Sequence, residues 1–249
     1  MNIKNGIALI FSGLLTFSCT PKKQIQETSS IENIIEEEEE EPAMRKHYNP
    51  SEKRVNDLLH TKLKVSFDWE NQQLNGEAYL TLRPYFYATD SLTLDAKAMD
   101  IHSVRENDEK AMELAYTYDG QFLRIKLPKE YKRTEQYNIY IKYTAKPEEV
   151  KQEGSSAISD AKGLYFINHD GADKNKHMEI WTQGETEASS AWFPTIDSPN
   201  EKTTEEIYMT VQDKYTTLSN GLLVESTPNE NGTRTDYWKM EQPHSPYLF

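Results

Sequence analysis

Beyond His47, apolar residues recur at every second position, and this period constrains the fold more than any other feature of the chain. Leu63, Val65, Phe67 and Trp69 alternate with polar neighbours. Successive side chains of a strand point to opposite faces, so this is the pattern of a strand buried on one side. Ala78, Leu80 and Leu82 repeat it and run into Pro84; Tyr137, Ile139, Ile141 and Tyr143 repeat it again. Further strands are read at residues 92–94, 99–104, 114–118, 123–127, 163–166, 178–185, 206–211 and 237–240. Asn75-Gly76, Asp119-Gly120, Ser219-Asn220-Gly221 and Asn231-Gly232 read as the turns between them. The 15 Tyr and 8 Phe suit strands better than helices. One short helix is expected over 49–59, capped by Ser51. The pattern predicts an all-β fold, a sandwich or saddle of antiparallel sheets.

Ahead of this region the chain changes character. Lys4 precedes an apolar run over 7–15, and Ser18 stands directly before Cys19. A basic start, a short apolar core and a small residue before the break read as a signal peptide over 1–18, with a run too short for a confident membrane span. The small residue before Cys19 resembles a bacterial lipobox, in which that Cys is lipidated and becomes the mature amino terminus. Thr16 stands where Leu is usual, with Leu15 one step further out; an ordinary signal peptide with an incidental Cys is the alternative. Cys19 is the only cysteine, which excludes an intrachain disulfide and a thiolate metal site. Residues 19–46 read as a disordered acidic linker. Eight Glu fall between 27 and 41, and the six consecutive ones from Glu36 to Glu41 repel one another and stay solvated. The formal net charge is -13, and residues 47–249 alone hold 33 acids against 23 bases. Such acidity argues against nucleic-acid partners. The expected location is the cell envelope, as a lipoprotein held to a membrane on the periplasmic or outer side.

The chemistry-bearing residues concentrate in Thr182-Gln183-Gly184-Glu185-Thr186-Glu187-Ala188, followed by Trp192-Phe193-Pro194-Thr195-Ile196-Asp197-Ser198-Pro199. On a strand, Gln183 and Glu185 share one face, with Gly184 between them marking a close approach to the backbone. An amide and a carboxylate side by side suit an ammonium group; the plainer alternative is that Glu185 is a polar residue on a half-exposed strand. Of the six histidines none is followed by Glu, so the chain has no His-Glu-x-x-His zinc helix. His169-Asp170-Gly171-Ala172-Asp173 and His177 fit neither a calcium loop nor a zinc finger and read as a solvated loop. Trp69, Trp181, Trp192 and Trp238 read as core or sheet-edge packing, with a sugar platform as the alternative.

Thr-Gln-x-Glu, an aromatic-Pro pair, Asp-x-Pro and a nearby Lys, here Gln183, Glu185, Phe193-Pro194, Asp197, Pro199 and Lys202, resemble the amino-terminal domain of the aminopeptidase N family, zinc metallopeptidases of the gluzincin type. His47-Tyr48, Gly163-Leu164-Tyr165, Leu218-Ser219-Asn220 and the closing Ser245-Pro246-Tyr247-Leu248 resemble further motifs in the family's order, so the resemblance covers residues 47–249. It departs at Gly184, commonly Cys or aromatic in the family, and at Thr195, where the family has Cys. The resemblance implies that Gln183 and Glu185 bind the free α-amine of peptide substrates. It also implies zinc in the full-length protein, on ligands this chain does not contain. The ending on Tyr247-Leu248-Phe249 is read as a cut inside a longer protein, so the chain alone is expected to be an inactive amino-terminal fragment. The alternative is a non-catalytic, lipid-anchored β-sandwich module that binds peptide or glycan at the cell surface.

Overall fold

A computed structural model describes residues 53–151 and 161–249. The expected signal peptide, Cys19, the acidic linker and His47-Tyr48 lie outside the described residues. In chain order the strands are β1 (Asn56–Asp68), β2 (Gln73–Pro84), β3 (Thr89–Asp95), β4 (Met99–Glu106), β5 (Tyr116–Tyr118) and β6 (Phe122–Tyr131). They continue with β7 (Tyr137–Ala145), β8 (Leu164–Ile167), β9 (Glu179–Thr182), β10 (Thr203–Gln212), β11 (Leu222–Pro228) and β12 (Thr233–His244). Among the described residues the only helical turns are three short 3-10 segments, Pro147–Glu149, Ser189–Ala191 and Pro246–Leu248.

The strands form a seven-stranded sheet in the order β11-β12-β10-β1-β2-β7-β4, a three-stranded sheet β3-β6-β5 and a two-stranded ribbon β8-β9. The expected all-β architecture is therefore present, with one difference from a purely antiparallel fold. β1 and β10 run parallel, from His60 opposite Thr204 to Ser66 opposite Thr210. Parallel neighbours need a long crossover rather than a hairpin, and here it is everything from Trp69 to Lys202. That crossover carries the small sheets and the motif-bearing loop. One apolar cluster takes Leu63 and Val65 from β1, Leu80 and Leu82 from β2, Leu92 and Leu94 from β3, Leu123 and Ile125 from β6 and Ile139 and Ile141 from β7. The alternation read from the sequence is the alternation of burial.

Three local expectations are corrected. The helix over 49–59 does not form in its described part, because Asn56 to Leu59 belong to β1, where Asn56, Asp57 and Leu58 pair with Pro84, Arg83 and Leu82 of β2. A β-bulge between Leu58 and His60 breaks the period there and hides the strand. Asn75-Gly76 is not a turn but lies inside β2; the turn is Trp69 to Gln72, closed by the Asp68 carboxylate, which accepts from the Asn71 backbone N–H at 3.0 Å. β11 was not expected at all. Its Leu222, Leu223 and Val224 are contiguous and exposed, so they carry no alternation.

Gly76 stands opposite Tyr143 of β7, and a Cβ there would lie 2.3 Å from the Tyr143 ring, a side chain that is fully buried. Glycine is thus a packing requirement at this position. Gly76→Ala should cost about 1–3 kcal/mol by overpacking, measured by chemical denaturation. An unchanged midpoint would contradict the register between β2 and β7.

Candidate functional site

The site loop runs from the end of β9 at Thr182 to the start of β10 at Thr203. The expected strand over 178–185 stops at Thr182, so Gln183 and Glu185 do not alternate on a strand. They meet in another way. The Gln183 backbone N–H donates to the Gly163 carbonyl at 2.9 Å, and its side-chain oxygen accepts from the Glu185 N–H at 3.1 Å. Gln183 is half-buried and Glu185 exposed. Among the described residues the Glu185 carboxylate has neither a hydrogen-bond nor an ion-pair partner. The Glu185–Thr186 peptide is cis.

Gly184 is held by close approach, as the sequence suggested, although not on a strand. A Cβ at this position would fall 2.5 Å from both Tyr247 Cα and Ser189 Oγ. The chain then turns: the Ala188 N–H donates to the Gly184 carbonyl at 2.9 Å, and Ser189–Ala191 form a buried 3-10 turn. Trp192 and Phe193 follow into the core, the Phe193 ring packing 4.9 Å from Phe249. The carboxy-terminal segment seals the other side. Ser189 Oγ donates to the Pro246 carbonyl at 2.9 Å, and Thr182 Oγ1 to the Phe249 carbonyl at 2.9 Å. Asn220 donates to the Leu248 carbonyl, and Lys202 to Ser245 Oγ. Segments dispersed from Gly163 to Phe249 therefore converge on one loop.

Buried carboxylates fix this loop, and here sequence reading missed partners. Asp197 accepts from the Ser190 N–H at 2.8 Å, and its own N–H donates to Asp95 Oδ2 at 2.9 Å. Asp95 also pairs with Thr195 through two backbone hydrogen bonds of 2.8 and 3.1 Å. Lys97 adds a backbone bond to the Ser190 carbonyl and a side-chain bond to the Glu187 carbonyl. Nothing about Asp95 or Lys97 stands out locally in the sequence, because each acts across ninety or more residues. Glu201, fully buried, accepts from the Leu58 N–H at 2.8 Å and from Arg54 at 2.8 Å. Burial pushes its pKa up, against the pull of those two donors. Glu205 accepts from Ser219 Oγ at 3.1 Å and approaches His244 Nε2 at 3.2 Å.

Among the described residues, no three His, Cys, Asp or Glu side chains gather to hold a metal. The 169–177 loop is largely exposed, with only His169 and Gly171 half-buried, as expected for a solvated connection. Of the four tryptophans, Trp192 is buried, and Trp238 is half-buried with its indole N–H bonded to Thr217. Trp69 stacks on Tyr215 at 5.1 Å and the exposed Trp181 on Tyr165 at 4.7 Å. Trp69 and Trp181 share, with Met209, Tyr215 and Phe249, the lining of an open concavity of about 1410 Å³ beside the site loop.

A family model described as the Peptidase M1 N-terminal domain matches residues 45–248. The fold is similar to that of an M1 zinc metallopeptidase from Deinococcus radiodurans, with TM-score 0.65 and 19% identity over 78% of this chain and 41% of that one. A further structure of an M1 zinc metallopeptidase from that organism holds a Tyr-Ser-Ala substrate. Legionella pneumophila aminopeptidase A, solved with aspartic acid, matches with TM-score 0.60 and 20% identity over 80% of this chain and 21% of that one. Yeast LTA4 hydrolase matches with TM-score 0.60 and 16% identity over 81% and 30%. At these identities the likeness establishes the fold, and the chain spans about two-fifths or less of each solved protein's length.

Asp197 supplies a pH test of the loop. Burial raises its pKa to about 6; the Ser190 hydrogen bond and Lys97 oppose the shift, and Asp95 adds to it. The folded value lies above the ordinary 3.8, so its contribution to stability is complete below that value and is lost as pH rises through about 6. Relative to Asp197→Asn, the parent should therefore lose about 2–3 kcal/mol of stability between about pH 4 and about pH 6, and no more above it. A pH-independent difference in denaturation midpoint would refute the buried placement.

Proposed function

The chain belongs to the Peptidase M1 N-terminal domain family, and on that premise we propose that it is the substrate-recognising β domain of an exported zinc aminopeptidase, in which Glu185 and Gln183 receive the free α-ammonium group of a peptide. The observation that carries this reading is the exposed carboxylate of Glu185, unspent on any described partner, beside a Gln183 side chain that is hydrogen-bonded to the Glu185 N–H on a loop that buried contacts hold fixed. A carboxylate placed in advance binds an ammonium group by a charge-assisted hydrogen bond without first breaking another one. The Gln183 oxygen is engaged by the Glu185 N–H, which leaves its amide N–H groups for a carbonyl of the substrate's first residue. A peptide α-amine is protonated below about pH 8. The attraction therefore spans neutral pH and fades in alkali. The amino-acid and peptide ligands held by the solved relatives all carry such an amine.

Zinc belongs to the whole peptidase in this reading, and the residues present do not fit it. None of the six histidines is followed by Glu, and the described residues offer no three-ligand cluster. The metal ligands and the hydrolytic step are thus assigned to a catalytic region outside these 249 residues, and the chain alone is expected to hydrolyse nothing. The reading includes export: a signal peptide over 1–18, lipidation at Cys19, and an acidic linker over 19–46 that joins the anchor to the domain at 47–249. A second reading, a binding module for peptide or glycan, draws on the aromatic-lined concavity. An open reading frame carrying His-Glu-x-x-His beyond codon 249 supports the peptidase, and a stop codon there supports the module.

In the complete enzyme, Glu185→Ala should lower kcat/KM for an aminoacyl reporter by about 100-fold, the equivalent of about 2.7 kcal/mol. Because Glu185 is exposed, the thermal midpoint should stay within a degree or two, roughly the scatter of a neutral surface change. Unchanged turnover would sink the assignment.

A further inference from the structure

At the end of the fold where the chain enters β1, three aromatic side chains stand in the connection from β2 to β3. Tyr85, Phe86 and Tyr87 are 37%, 61% and 73% exposed, a run of exposed rings that the amine site does not use. The rings touch in sequence, Tyr85 to Phe86 at 6.2 Å and Phe86 to Tyr87 at 5.6 Å. The Tyr85 N–H donates to the Val55 carbonyl at 2.8 Å, which ties this connection to the entering chain. A cation lies over each ring: Arg54 at 4.2 Å from Tyr85, Arg133 at 5.2 Å from Phe86 and Lys53 at 6.0 Å from Tyr87. Arg54 is spent on Asp57 and Glu201. Lys53 and Arg133 have no carboxylate partner among the described residues. A cationic, aromatic patch thus projects from a chain whose net charge is -13.

We propose that Tyr85-Phe86-Tyr87, with Lys53 and Arg133, forms a membrane-contact surface that settles into the headgroup layer of an anionic phospholipid bilayer. Aromatic rings favour the headgroup level, and a Lys or Arg beside an anionic leaflet is drawn to it. The charge decides against other occupants. A second copy docking through the same patch would bring like charges together. A sugar stacks on a bare ring face, and here a cation stands over all three. Direction comes from the covalent path. Lys53 is the residue at which positions 1–52, with Cys19 among them, join the described fold. A protein anchored at Cys19 therefore has its attachment point inside this patch. That last step rests on the anchored reading; the chemistry of the patch does not.

The test is flotation of the 249-residue chain carrying Cys19→Ser, so that no acyl chain contributes, with phosphatidylcholine vesicles and with phosphatidylcholine–phosphatidylglycerol vesicles. The leader is common to all samples, so differences report the patch. The parent should partition preferentially to the anionic vesicles. Phe86→Ser with Tyr87→Ser, and separately Lys53→Glu with Arg133→Glu, should each lower that partition at least about tenfold, with unchanged near-ultraviolet circular dichroism. Partition equal to the parent in both double variants overturns the proposal. So does a parent indifferent to phosphatidylglycerol, or variants that lose only self-association. Should Cys19 prove unacylated in cells while both variants still lose vesicle binding, the anchored reading fails and the surface stands.

Discussion

The fold around the site depends on one backbone contact, the seating of Tyr247 against Gly184. No side chain fits between them, since a Cβ on residue 184 would lie 2.5 Å from Tyr247 Cα. The contact brings the end of the chain onto the turn after β9. Hydrogen bonds from Ser189 to Pro246 and from Thr182 to Phe249 then fasten it on both sides. The Phe249 ring completes the packing over Phe193 and His244. Gln183 and Glu185 owe their position to this clasp and not to a sheet.

The acidic residues of the region divide by environment into two kinds. Asp197, Glu201 and Glu205 are buried, and each ties together segments far apart in sequence: Asp197 with Ser190 and Asp95, Glu201 with Leu58 and Arg54, Glu205 with Ser219 and His244. Burying a charge is costly unless donors surround it, and these carboxylates meet backbone N–H groups, hydroxyls or cations. They define the shape of the loop. The Glu185 carboxylate is exposed and bonded to nothing described, so its charge remains available to a ligand. Glu187 is exposed on the same loop, but Glu185 alone has Gln183 hydrogen-bonded to its N–H.

Most of the fold was legible because burial repeats the apolar alternation, as in Leu74, Ala78, Leu80 and Leu82 of β2. Where legibility failed, a long-range partner had replaced a local rule. Gly76 resembles a turn residue but answers to Tyr143, sixty-seven positions away. Leu58 and Leu59 break the period because β1 bulges. The parallel pairing of β1 with β10 leaves no mark on either strand. At the site, the Gln183–Glu185 pair could be read as a motif, but its geometry could not, because β9 stops at Thr182 and Gly184 packs against Tyr247, a partner sixty-three positions away. Asp95 and Lys97 had no local signal at all.

This M1 N-terminal domain presents the exposed carboxylates of Glu187 and Glu185 on a clamped loop, and the role proposed for Glu185 is to receive an amine. The central claim is that this carboxylate reads the charge of a free amino terminus. It is tested most directly in the complete enzyme by comparing cleavage of a reporter with a free α-amine against its N-acetylated analogue, in the parent and in Glu185→Gln. The account predicts strong discrimination by the parent and its near-complete loss in the variant, through slower cleavage of the free-amine reporter. Equal discrimination in both would contradict it.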